Sequence, residues 1–123
     1  QVDFKGKVSE DEKLYLLQSS WVLVNPSMME GWGITTIEAN ACGTPIIASD
    51  VPGLRDSIRN PHTGFLVPYG DWRAFASRIE IMIQNKKLRE AMSDNATEWA
   101  SEFDWRRGSK NFLAVINGEV LNI

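Results

Sequence analysis

Between Pro26 and Glu38 the chain sets two carboxylates, Glu30 and Glu38, eight positions apart around two glycines, Gly31 and Gly33. Glycines let a backbone turn tightly and approach a ligand with no Cβ in the way. An apolar helical stretch opens at Ile34, and free N–H groups and the dipole at a helix start favour an anion. The amides of Gly33, Ile34 and Thr35 therefore suit a phosphate or diphosphate. Glu30 would repel a phosphate set directly beside it. Glu38 lies roughly 6 Å along the helix from its start, at about 1.5 Å per residue. Side chains lean toward a helix N-terminus, which aims Glu38 back at the same ligand. Two acceptors offset to either side of an anion site fit a ligand with hydroxyls on both sides of its phosphates: hexose, diphosphate, ribose, the layout of a nucleotide sugar. Spacing alone leaves a second reading open, in which Glu30 is solvated, Glu38 makes a helix-surface pair and the glycines only turn the chain. The loop also lacks the lysine of a nucleotide-binding P-loop.

The elements that must hold this loop alternate between short β-branched runs and helical stretches. Val2-Asp3-Phe4 reads as a short strand closed by Gly6, and Ser9-Glu10-Asp11-Glu12 is a capping box opening a helix to about Ser20 through Leu14, Leu16 and Leu17. Trp21-Val22-Leu23-Val24, a continuous apolar run stopped by Asn25-Pro26, suits a strand buried on both faces of a parallel sheet. A helix over residues 34–42 ends at Gly43, a left-handed terminator, and Pro45 to Ser49 is the next buried strand. Pro52-Gly53 turns the chain, a brief helix follows from Leu54 to Arg59, and Phe65-Leu66-Val67 is a further strand. From Asp71 the reading is helical, with Trp72, Phe75, Ala76, Ile79, Met82 and Ile83 on one stripe. A second helix runs from Lys86 to about Phe103, and Asp104 caps a third from Trp105 to about Val120. This order predicts an α/β, doubly wound, Rossmann-like parallel sheet ending in C-terminal helices. Such sheets bind ligands beyond the carboxyl ends of their strands, which singles out the loops after Val24, Ser49 and Val67.

Composition removes other classes of function. At 123 residues the chain is one domain at most, and 43% apolar with 24% charged residues are ordinary globular values. Thirteen basic against 16 acidic residues give a net charge of −3, which argues against a nucleic-acid surface. The single cysteine, Cys42, excludes an internal disulfide and a multi-cysteine zinc site, and reads as a small buried thiol. No apolar run approaches the roughly 20 residues of a membrane-spanning helix. The start at Gln1, with neither a methionine nor the features of a signal peptide, suggests an excerpt from a longer chain. His62 reads as a surface residue in a turn, and Lys86-Lys87 and Arg106-Arg107 as solvated faces. Arg55, after the Pro52-Gly53 turn, is a candidate phosphate contact. Trp72, Trp99 and Trp105 read as core, while Trp32 is placed to shape a sugar pocket.

Pro26-Ser27-x-x-Glu30-Gly31-Trp32-Gly33, Glu38 eight positions after Glu30, and Ala41-Cys42-Gly43-Thr44-Pro45-Ile46-Ile47-Ala48 together resemble family-4 retaining glycosyltransferases. Gly6-Lys7-Val8-Ser9, Gly53, Thr63-Gly64-Phe65-Leu66-Val67 and Gly70-Asp71 match in order, so the resemblance spans about residues 2 to 116. It implies a two-domain GT-B fold, of which residues 1–123 would be a single partial domain: the distal part of the C-terminal, donor-binding domain. The upstream strands, the basic pair for the diphosphate and the whole acceptor domain would lie elsewhere. In such enzymes the first glutamate, at the position of Glu30, meets the hydroxyls of the donor sugar in the catalytic centre. The second, here Glu38, hydrogen-bonds the ribose, and the backbone of Gly31, Trp32, Gly33, Ile34 and Thr35 contacts sugar and diphosphate. The chain departs from the family at Trp32, where phenylalanine is usual, and at Asp56, where glutamate is commoner.

The expected function is the donor-binding segment of a retaining hexosyltransferase that moves a sugar from a nucleoside diphosphate to an acceptor hydroxyl. The segment is expected to be inactive by itself. The resemblance implies no cofactor and no metal, an acceptor sugar, lipid or other hydroxyl compound held by the other domain, and no nucleic-acid partner. The expected location is the cytoplasm, with peripheral attachment to the inner face of a membrane left open. The rival expectations are a non-catalytic nucleotide-sugar-binding or scaffold domain of the same fold and, third, a related phosphorylase or sugar-nucleotide epimerase.

Overall fold

A computed structural model describes residues 1–118. Strands β1 (Leu23–Asn25), β2 (Ile46–Ser49) and β3 (Gly64–Val67) form one parallel sheet in the order β1-β2-β3. Helix α1 (Glu10–Ser19) leads into β1, and α2 (Ile34–Ala41) and α3 (Pro52–Ser57) make the two crossovers. Helices α4 (Trp72–Gln84), α5 (Lys86–Ser101) and α6 (Trp105–Ile116) follow β3. This is the doubly wound α/β arrangement predicted from the apolar pattern.

The central strand explains the two cores. In register with Leu23 to Asn25 on one side and Gly64 to Val67 on the other, β2 is buried throughout. Successive side chains of a strand alternate between faces. Ile46 and Ala48 accordingly join Leu17 of α1, Ala39 of α2 and Leu54 of α3. Ile47 turns the other way and meets Phe65, Val67, and Phe75 and Met82 of α4, together with Met92 of α5. Burying each isoleucine contributes about 1.5–3 kcal/mol. Helix α5 then packs mainly along α2.

Most helix ends follow the sequence chemistry. The Glu12 amide donates to Ser9 Oγ at 3.2 Å, although the reciprocal half of the capping box is not formed. Asp71 and Asp104 cap α4 and α6, accepting from the amides of Ala74 and Arg106. Gly43 closes α2 at φ +76°, with the Thr44 amide donating to Ala39 O at 2.9 Å.

Some expectations are corrected. Val2-Asp3-Phe4 is not a strand, and Val2 and Phe4 are exposed, because no neighbouring strand lies beside them among the described residues. The run at Trp21 is less buried than expected among the described residues: β1 is the outermost of the three strands there, Val24 is partly exposed, and Trp21 lies outside the strand, under the guanidinium of Arg89 at 4.1 Å. Pro52 and Gly53 do not precede α3 but form its first turn, where proline needs no amide partner. On α4 the buried positions are Phe75 and Met82, while Trp72 and Ile83 are exposed, so the stripe is narrower than its spacing suggested. Leu14 of α1 is likewise exposed. Trp99 is half-buried, the side chain of Trp105 lies outside those described, and so does the expected helix end near Val120.

Candidate functional site

Because β1 ends at Asn25, the loop of residues 26–33 leaves from the carboxyl end of the sheet and delivers the chain to the N-terminus of α2. That is where open α/β sheets take ligands. Gly33 is the N-cap of α2, at φ +74° and ψ +56°, a left-handed conformation that disfavours side chains. No side chain caps this helix. The Thr36 amide is taken by Gly33 O at 2.9 Å, whereas the amides of Gly33, Ile34 and Thr35 have no partner among the described residues. Ile34 and Thr35 are exposed while Gly33 is buried, and all three donors stand at the positive end of a helix.

The loop is seated from below by α3. A Cβ on Gly53 would stand 2.2 Å from Glu30 O and 2.7 Å from Gly31 O, so only glycine lets the loop backbone lie on α3. Thr36 and Ser57, both fully buried, join their hydroxyls at 2.9 Å and tie α2 to α3 just beneath Gly33.

Glu30 is half-buried at the lip of this loop. Ser27 Oγ lies 2.9 Å from Glu30 Oε1 and 2.6 Å from Asn25 Oδ1, and its one proton serves only one of them at a time. The Ser27 amide also donates to Asn25 Oδ1 at 3.2 Å, which gives the loop a fixed start. Sequence reasoning missed this support. The signal was present, since an Asn two residues before a serine makes a local side-chain turn.

Glu38 turns elsewhere. Its two carboxylate oxygens lie 3.4 and 3.3 Å from Lys13 Nζ on α1, and Lys13 is also paired with Glu10 at 3.0 Å. Glu10 first, and then Glu38, hold the Lys13 ammonium above its usual pKa. The helix-surface pair left open by the sequence is therefore present, formed across two helices, and Glu30 and Glu38 have different partners.

Trp32 folds back on Phe103, edge to face, with ring centroids 4.7 Å apart, and Phe103 meets Trp99 in the same manner. Trp32, Ile34, Ile37, Glu38, Ala100 and Phe103 line a mostly apolar cavity of about 440 Å³ beside the loop. Arg55 is engaged by Asp50, Nε to Oδ1 at 2.5 Å and a second nitrogen to Asp50 O at 3.1 Å. His62 is exposed. Burial raises the Cys42 thiol above its ordinary pKa, with Glu38 adding to the effect, which makes it a poor nucleophile. No group of three His, Cys, Asp or Glu among the described residues is placed to hold a metal ion.

An uncapped helix start with three unpartnered amides, a carboxylate at its lip and an aromatic beside it is the geometry of an anion site next to a mostly apolar pocket. Comparison with known proteins says in which kind of molecule it stands. The model of the family "Glycosyl transferases group 1" matches residues 1–99. The chain belongs to this family.

A D-inositol 3-phosphate glycosyltransferase of Jonesia denitrificans is 37% identical over 90 residues, 73% of this chain and 21% of that protein. A phosphatidyl-myo-inositol mannosyltransferase of Mycobacterium leprae is 34% identical over 105 residues, 85% of this chain and 28% of that protein. Among solved structures, sucrose-phosphate synthase from Thermosynechococcus elongatus superposes with a TM-score of 0.83 at 29% identity, over 95% of this chain and 31% of that one. HepE of Anabaena, solved with UDP, shares the fold at a TM-score of 0.79 and 23% identity, over 84% of this chain and 29% of that one. The group 1 chain thus spans between about a fifth and a third of the length of these proteins, and its α/β architecture is that of their GT-B structures.

Proposed function

We propose that the chain is the distal part of the donor-binding domain of a retaining hexosyltransferase that uses a nucleoside diphosphate sugar. The observation that carries this reading is the uncapped start of α2, where the amides of Gly33, Ile34 and Thr35 have no partner among the described residues. Those amides would receive the diphosphate and stabilise the negative charge that gathers on it as it leaves the sugar. The acceptor hydroxyl would replace the diphosphate at the anomeric carbon, on the same face, and lose its proton in doing so. Glu30, half-buried and supported by Ser27, would orient the sugar through its hydroxyls. Glu38 would take the ribose on exchanging its contact with Lys13 for one with the ligand.

HepE holds UDP on a chain of the same fold, which supports a nucleoside diphosphate as the ligand class here. No metal or cofactor enters the proposed chemistry. No helix among the described residues is long and apolar enough to cross a membrane, and the reading keeps a cytoplasmic location. The test is a transfer assay of the full-length protein with UDP- and GDP-linked glucose and mannose, with the anomeric configuration of the product read by NMR. Transfer with retained configuration is expected. Donor binding with no transfer to any acceptor would replace this reading by the scaffold domain.

A further inference from the structure

The site loop is closed into a ring of contacts by residues distant in sequence. Starting at Gly33, whose carbonyl accepts from the Thr36 hydroxyl at 2.5 Å, the ring passes to Ser57 Oγ at 2.9 Å. Ser57 then accepts from the Trp99 indole N–H through its main-chain oxygen at 2.9 Å. Trp99 meets Phe103 edge to face, at 4.7 Å and 88°, and Phe103 meets Trp32 at 4.7 Å and 67°. Trp32 is the neighbour of Gly33 in the chain.

Three members of the ring have further contacts. Trp99 lies under the guanidinium of Arg59 at 4.0 Å. The corner that carries Phe103 is fixed by its own amide donating to Ala100 O at 3.1 Å, by the Asp104 cap of α6, and by an ion pair between Glu102 and Arg107. Gly33 is enclosed by Leu54, Ser57 and Thr36. The loop itself makes few bonds of its own, and the residue that must hold a left-handed conformation is therefore clamped from outside.

We propose that Phe103 is a positioning residue for the donor loop. By packing on Trp32 it keeps Gly33 at its positive φ and holds the amides of Gly33, Ile34 and Thr35 in the orientation that receives the diphosphate. The inference rests on the proposed donor site, yet its structural half can be tested without any donor. Phe103 is not one of the residues assigned to the donor. It acts through Trp32, and it places the specificity of the loop partly in the corner between α5 and α6. An edge-to-face aromatic pair contributes about 0.5–1.5 kcal/mol beyond area burial, equivalent to roughly a two- to thirteenfold change in an equilibrium.

The experiment compares the wild-type chain with Phe103→Ala, Phe103→Leu and Phe103→Tyr by amide and indole NMR, first alone and then titrated with UDP and GDP. The dispersed amides of Ile46 to Ser49 in β2 report that each variant is folded. Expected for Phe103→Ala are a shifted Trp32 indole signal, broadened amides at Gly31 to Thr35, and binding of the preferred diphosphate about three- to tenfold weaker. Phe103→Tyr, which restores the ring, is expected to recover the wild-type loop signals and to bind within about twofold of wild type. A folded Phe103→Ala whose loop amides and Trp32 indole do not move would overturn the inference. Should that variant fail to fold, unmoved loop signals in Phe103→Leu would overturn it instead. If wild type binds neither nucleotide, the full-length protein is titrated in the same way and failure there overturns the donor reading, while the ligand-free loop signals still decide the role of Phe103.

Discussion

Replacing Gly53 by alanine tests how the donor loop is seated, because two effects of known size oppose each other. In an open helix Gly→Ala is stabilising by roughly 0.5–1 kcal/mol, since glycine loses more freedom on folding. In α3 the new Cβ would meet Glu30 O at 2.2 Å, Gly31 O at 2.7 Å and Glu30 C at 2.8 Å, all main-chain atoms that no side-chain rotation can relieve. Carbon–oxygen contacts settle near 3.3 Å or beyond, so the Glu30 carbonyl must withdraw by about 1 Å. Overpacking of this kind costs about 1–3 kcal/mol, more than the helix gains. Gly53→Ala is therefore expected to lower stability by roughly 0.5–2 kcal/mol in urea unfolding followed by tryptophan fluorescence. The same displacement moves Glu30 and the amides after it, and a misplacement of about 1 Å can lower turnover around a hundredfold. A Gly53→Ala chain as stable as wild type, or more so, would refute the seating of the loop on α3.

Other consequences are as direct. Glu30→Gln in the full-length enzyme is expected to lower turnover about a hundredfold or more by removing the charge that orients the sugar, and wild-type kinetics would exclude the role. Asn40 is fully buried in α2 with neither its amide nitrogen nor its oxygen bonded, so Asn40→Leu is expected to raise stability by about 1 kcal/mol in the same urea assay; a loss would show the amide to be satisfied. Cys42 favours its protonated form when folded, so its folded pKa exceeds the unfolded one. Its contribution is complete below the ordinary thiol range and is lost as pH rises through the folded pKa, so stability should fall at alkaline pH and fall less in Cys42→Ala. Equal alkaline slopes for the two proteins would contradict this.

What the sequence made legible follows contact range. β2 stood out because a strand buried on both faces is a continuous apolar run, and Gly43 and Asp104 because caps and terminators act within a few residues. The donor loop was readable for the same reason: its glycines, its carboxylate and the helix start lie within about a dozen residues. β1 is less buried than its apolar run suggests because no strand lies on its outer side among the described residues, and Trp72 was misjudged because helical spacing does not say how wide a face its neighbours cover. Val2-Asp3-Phe4 has strand character but no ladder partner among the described residues.

The supports of the site were less visible. Glu38 carries local signals for a ligand, yet its partner Lys13 is 25 residues away and comes to it only when α1 packs on α2. Trp32 meets Phe103 from the far end of α5, and Trp99 reaches Ser57 across 42 residues. No pattern of period 2 or 3.6 encodes such contacts, because they depend on where α5 crosses α2. The requirement for glycine at position 53 is of the same kind. In the sequence it reads as a turn residue, and in the fold it is the floor beneath Glu30.

The central claim is that the amides at the start of α2 receive a diphosphate. It is tested most directly by titrating the ¹⁵N-labelled chain with UDP, GDP and their glucose and mannose conjugates. Saturable shifts confined to Gly31 through Thr35, with one nucleotide preferred, are the predicted result. A folded chain whose amides there stay unmoved at millimolar nucleotide, while those elsewhere respond, would contradict it.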